Sequence, residues 1–124
     1  IGTAIPASNN TYAVKGRDIR SGTPKEVNIS ENDTAEALNP IIKEIVKGIK
    51  DALENTPPEL SADLVDMGMT LTGGGALLKN IDKRFSKETG LPVNIADDPI
   101  ACVAIGTGKA LEQRETFSNM LSEY

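Results

Sequence analysis

Three consecutive glycines, Gly73, Gly74 and Gly75, interrupt the stretch "MTLTGGGALLKN" at residues 69–80. Glycine loses more backbone freedom on folding than any other residue and weakens a helix by about 1 kcal/mol relative to alanine. A run of three directly before a helix-like pattern therefore demands a reason, and two offer themselves. The chain could need a tight strand-to-helix turn for its own packing. Alternatively, it could need bare backbone so that a ligand can approach main-chain N–H groups at the start of a helix. Local physics leaves both open. The spacing is not that of a dinucleotide fold, because the sixth position counted from Gly73 is Leu78.

The flanking pattern gives the triplet a setting. "MGMTLTG" reads as a short buried strand, and "ALLKNIDKRFSKETG" (76–90) reads as an amphipathic helix on Leu77, Leu78, Ile81 and Phe85, stopped at Gly90. "PVNIA" reads as a second strand, with Asp98-Pro99 capping a last helix near 100–113. Two strands separated by one helix imply a parallel crossover. Upstream, 11–18 and 23–30 alternate like a hairpin turned at Gly22. Leu38, Ile42, Ile45, Val46 and Ile49 then recur at helical spacing. Pro40 is awkward inside that helix, so Asn39 is expected as its N-cap after a separate turn at 31–37 capped by Ser30; one helix kinked at Pro40 is the alternative. Thr56 and Glu59 have capping-box spacing at the start of a short helix to about Val65. The architecture is α/β: a β-hairpin plus helix, then a β-α-β-α unit.

Composition narrows the chemistry. The chain has 124 residues, a net charge of −5, one cysteine and no histidine. Nucleic acid is a poor partner for such a charge. Without histidine, zinc sites and histidine-based triads are excluded. No apolar run nears the ~20 residues of a membrane span, so this segment is not expected to insert into a membrane. No basic leader opens the sequence, and no initiator Met, which points to a piece of a longer chain.

Several features have plainer readings. "IGTGKAL" (105–111) imitates a P-loop, but that motif needs Gly at 103 and Ser or Thr at 110, where this chain has Val103 and Ala110. Gly106 and Gly108 are read as close-packing positions, Asp97 and Asp98 as a cap rather than metal ligands, and Cys102 as a small core residue.

"TPPEL", "LTGGGALL", "ETGLPV" and "ADDP", in this order and spacing, resemble the C-terminal part of the MreB family of bacterial actin homologues. "IGTAIP" and "VKGRDIRSGTPKEVNIS" match the same family upstream. The resemblance implies an actin-like ATPase (ribonuclease H-like) fold, with residues 1–56 as the rear of subdomain IIB and 57–124 as the second part of subdomain IIA. It implies that Gly73, Gly74 and Gly75 line a nucleotide, that Leu77 and Leu78 wall the adenine, and that Ile100 closes the far edge. It implies ATP and Mg2+ as ligands of the longer family members, self-association into filaments, a RodZ-type membrane partner docking on IIA, and a cytoplasmic place at the inner face of the membrane. The family's phosphate hairpins, Mg2+-linked aspartates and catalytic glutamate lie N-terminal to this segment. No catalytic or metal-binding residue is therefore expected here, nor ATP hydrolysis or tight ATP binding by the chain alone. Faces stripped of their partners are expected to drive dimerisation or strand exchange. Rival readings are another ATPase of the actin, Hsp70 and sugar-kinase superfamily, and a ligand-free α/β interaction module.

Overall fold

The structure is a computed structural model that describes residues 1–113 and 118. The hairpin pairs β1 (Thr11–Arg17) with β2 (Pro24–Ser30), setting Tyr12 opposite Ile29 and Val14 opposite Val27. Its turn is held by Asp18 as well as by Gly22. The Asp18 carboxylate accepts from Arg20 N at 2.8 Å and Ser21 N at 3.1 Å, and Gly22 N donates to Asp18 O at 2.8 Å.

One uninterrupted helix follows, α1 (Glu31–Glu54), with Pro40 inside it. This corrects the expected Asn39 start. Ser30 is the N-cap, and Ser30 with Asp33 forms a complete capping box. The physical reason is the apolar stripe Leu38, Ile42, Val46 and Ile49, which runs across the proline onto a shared core. Proline inside a helix costs ~3 kcal/mol. Burying two or three aliphatic side chains at ~1.5–3 kcal/mol each offsets that. Glu36, whose carbonyl loses its helical partner at Pro40, is exposed, so water can serve it.

The short helix α2 (Pro58–Met67) starts at Pro57 without a side-chain cap. The expected Thr56–Glu59 box does not form, because the Thr56 hydroxyl donates back to Ala52 O at 2.8 Å and finishes α1 instead. After Gly68 come β3 (Met69–Leu71) and, in parallel beside it, β4 (Val93–Ile95), with Met69 opposite Val93 and Leu71 opposite Ile95. β3 is half-buried rather than buried.

The segment read as one helix over 76–90 is broken in two. Gly74–Leu77 is a single 3-10 turn, Leu78 is extended, Asn80 is left-handed at φ 63°, and only then does α3 (Ile81–Thr89) begin. The break lets Lys79 pair with Thr3 in a parallel bridge and frees the Asn80 side chain for tertiary hydrogen bonds. The last helix is α4 (Cys102–Glu112). Asp98 caps the turn before it, its carboxylate accepting from Ala101 N at 3.1 Å and its carbonyl from Cys102 N at 2.8 Å. Cys102 is half-buried beside Pro99. Gly106 and Gly108 face open space among the described residues, so the expected close packing is not found there.

The core joins both halves: Ala4, Ile42 and Val46 pack with Ile81 and Phe85. Large apolar side chains outside it are left exposed among the described residues. Ile41 and Ile45 on α1 and Val103, Ile105 and Leu111 on α4 are exposed. Apolar faces of this extent seek cover. Sedimentation of the isolated chain is expected to give a weight that rises with concentration, and a concentration-independent monomer would contradict that.

Candidate functional site

The glycine turn leaves β3 directly. Leu71 O accepts from Ala96 N at 3.0 Å, and Gly73 N donates to Pro99 O. The turn after β3 is thereby tied to the 97–100 turn after β4. Gly73 adopts φ 81°, ψ 169°, a region essentially reserved for glycine. Gly74 and Gly75 are different. Neither has a left-handed φ, and among the described residues a Cβ on either would meet nothing within 4 Å. The chain's own conformation thus demands one glycine of the three. Its own packing demands neither of the other two.

The turn closes through Ala76 N to Gly73 O at 3.1 Å and Leu78 N to Gly75 O at 3.2 Å. The N–H groups of Gly74 and Gly75 precede these bonds, and among the described residues neither has an acceptor. Since α3 begins only at Ile81, the glycines do not open a long helix. No long helix starts there to aim its dipole, and the distinguishing feature of the glycines is bare backbone.

The two leucines point different ways. Leu77 is 60% exposed, whereas Leu78 packs against the core. Ile100 is 68% exposed and adjoins the buried Pro99 that holds Gly73. Gly73, Gly74, Gly75, Leu77 and Ile100 are therefore surface residues near one bend, with Leu78 facing inward. An apolar pocket of ≈350 Å³ opens between this bend and α1, lined by Leu38, Ile41, Leu71, Gly75, Leu78 and Phe85 among others. A larger cavity, ≈550 Å³, lies between α1, α3 and residues 4–6, away from the bend. Its Arg84 is committed to Glu88 at 3.1 Å and Asn39 at 2.9 Å. Among the described residues no three His, Cys, Asp or Glu side chains converge as metal donors, Asp97 and Asp98 included.

Sequence reasoning missed the polar joint behind the turn. Glu31, the first residue of α1, is only 3% exposed. One carboxylate oxygen accepts from Lys79 Nζ at 2.9 Å; the other accepts from Ala7 N at 3.1 Å and Ser8 N at 3.2 Å. Asn80 donates to Thr3 Oγ1 at 3.2 Å and Ile5 O at 3.0 Å. No local signal announces a contact between residues 31 and 79.

The Lys79 ammonium, and then the Ala7 N–H, hold the Glu31 carboxyl at about 2 against an ordinary 4.5, overriding the opposing effect of burial. A carboxylate with a depressed folded pKa contributes stability above its unfolded pKa and loses it as pH falls through the folded one. That contribution is complete above about 4.5 and disappears toward about 2. Asp18 and Asp33 are lowered by backbone N–H bonds and act in the same direction. Glu31→Gln is expected to be less stable than the wild type at neutral pH, with the gap narrowing in acid unfolding curves below about 4.5. A gap that stays constant with pH would contradict this assignment.

The model of the MreB/Mbl protein family matches residues 1–119. Cell shape-determining protein MreB of Escherichia coli (strain K12) is 46% identical over 113 residues, covering 90% of this chain and 33% of that protein. Cell shape-determining protein Mbl of Bacillus subtilis (strain 168) is 41% identical over 116 residues, covering 93% and 35%. The crystal structure of MreB5 of Spiroplasma citri bound to ADP matches with a TM-score of 0.85 at 38% identity, over 98% of this chain and 37% of that one. Its AMPPNP-bound form gives 0.83. The chain spans about a third of the length of these curated relatives. The actin-like α/β fold expected from the sequence is the fold found. The likeness in sequence and fold favours this family over the chaperone and sugar-kinase alternatives, and the chain belongs to the MreB/Mbl family.

Proposed function

We propose that this chain is a C-terminal part of a longer actin-like ATPase that forms ATP-dependent filaments, sets rod shape and organises wall synthesis. In this reading residues 1–56 belong to subdomain IIB and 57–124 to subdomain IIA, the two meeting in the core around Ile42 and Phe85. The segment supplies the adenosine side of the nucleotide cleft. Gly73, Gly74 and Gly75 offer bare backbone to the nucleoside, Leu77 and Ile100 flank it, and Leu78 buttresses the turn from behind. When bound, ATP supplies the phosphoanhydride whose hydrolysis drives filament turnover. The residues of this chain only seat and orient the nucleoside. Mg2+ and the reacting phosphates are left to other parts of the longer protein.

The observation that carries this reading is the open space in front of Gly74 and Gly75. A backbone that is bare without serving the protein's own packing suits the close approach of a ligand. The nucleotides named for the two Spiroplasma structures support the same choice. A RodZ-type partner docking on 57–124, and a place at the inner face of the membrane, complete the proposal. No helix among the described residues is long and apolar enough to cross a membrane. Titration calorimetry is expected to register Mg-dependent ATP binding by the full-length protein and none of comparable strength by the 124-residue chain. Tight Mg-dependent binding by the chain alone would contradict this division of labour.

A further inference from the structure

A single 3-10 turn made of Gly-Gly-Ala-Leu has little stiffness of its own, because glycine leaves the backbone free and one turn closes few bonds. Its position is set by its two ends. The upstream end is fixed by β3 and by Gly73 N on Pro99 O. The downstream end is fixed by residues 3–8. Ala4 N donates to Lys79 O at 2.8 Å, and Asn80 donates to Ile5 O at 3.0 Å and to Thr3 Oγ1 at 3.2 Å. Thr3 is fully buried, and its hydroxyl donates to Ile5 O at 2.6 Å.

Residues 3–8 lie outside both sheets, so they need an anchor of their own. That anchor is Glu31. It takes Ala7 N and Ser8 N on one oxygen and Lys79 Nζ on the other, while its own N–H donates to Asn10 O at 3.2 Å. A closed circuit results, running from α1 through residues 3–8 to the end of the glycine turn and back through Lys79. Glu31 at its centre is buried with both carboxylate oxygens bonded, and a hydrogen-bonded circuit around such a group rigidifies what it connects.

We propose that Glu31 is a positioning residue for the glycine turn, acting through Lys79 and residues 3–8 without touching the ligand. The inference rests on the nucleotide reading of Gly73, Gly74 and Gly75 and adds a residue that holds them. A turn held in place before binding loses less freedom when the ligand arrives, so releasing the clamp lowers affinity.

The test uses the full-length protein, ATP as probe, and Glu31→Gln, Lys79→Met, Lys79→Arg and Gly74→Val. Affinity is measured well below the melting temperature of each variant, with circular dichroism confirming the fold. Glu31→Gln and Lys79→Met are expected to weaken ATP binding by about three- to tenfold. Lys79→Arg, which keeps the ion pair, is expected to stay near wild type. A residue of purely structural importance would change melting without changing affinity in the folded state. If folded Glu31→Gln or Lys79→Met binds ATP as wild type does while Gly74→Val loses binding, the positioning role is overturned. If Gly74→Val also binds normally, the nucleotide reading itself fails. Should Glu31→Gln not fold, Lys79→Met decides, since Lys79 is half exposed at its side chain.

Discussion

Gly74→Val in the full-length protein is expected to weaken ATP binding by about a hundredfold, or ~2.7 kcal/mol, while leaving the fold intact. The two halves of this expectation come from one observation. A side chain at 74 enters space that no atom of the described residues occupies within 4 Å, and the backbone there is not left-handed. The apo protein therefore has nothing to push aside, and its stability should shift by no more than ~0.5 kcal/mol, as for an ordinary surface change. The nucleoside, however, needs that volume if it lies against the backbone. A branched side chain forces it outward, and overpacking of a close contact costs ~1–3 kcal/mol. Gly74→Ala should lie between wild type and Gly74→Val in affinity, with a stability change no larger than that of Gly74→Val. Calorimetric titration for affinity and thermal melting for stability read the two effects separately. Unchanged affinity in folded Gly74→Val would make the triplet a turn and nothing more.

Gly68→Ala is expected to do the reverse and damage the fold. Gly68 ends α2 at φ 72°, ψ −158°, where side chains are scarcely tolerated. A Cβ built there lies 2.2 Å from Pro92 O and 2.8 Å from Pro92 C. Those are backbone atoms, and Pro92 O accepts the Met69 N–H at 2.8 Å that starts the β3–β4 pairing. Relief would require parting the two strands at their first rung. Strain of ~1–3 kcal/mol and overpacking of a similar size together make a loss of about 3 kcal/mol or more. That is a large share of the 5–15 kcal/mol typical of a folded domain. Urea unfolding of wild type and variant measures it. A variant within ~0.5 kcal/mol of wild type would mean that β3 and β4 are not held this closely.

The pairing of these two glycines explains what was legible in the sequence. Periodicity reveals the hairpin, the amphipathic stripe of α1 and the strands β3 and β4, because each pattern repeats between near neighbours in the chain. The Gly90 stop is equally local: Gly90 ends α3 as expected, in a left-handed conformation at φ 74°. Tertiary contacts decided the rest. Pro40 is carried inside α1 because Leu38 and Ile42 must reach one core on either side of it. The helix expected from Ala76 is interrupted because Thr3, far away in sequence, claims Lys79 and Asn80. Thr56 caps nothing because the end of α1 takes its hydroxyl first. Gly68 and Glu31 carry no local signal, since the constraint on one is the carbonyl of Pro92 and the partner of the other is Lys79. The resemblance gave Leu77 and Leu78 one shared role at the bend, whereas the fold turns Leu77 outward and Leu78 toward the core.

The most direct test of the nucleoside seat is a crystal structure of the full-length protein with AMPPNP. The account predicts ribose or adenine in van der Waals contact with the main chain of Gly74 and Gly75, with Leu77 at its flank. A nucleotide bound elsewhere, with protein side chains filling the space before these two glycines, would contradict it.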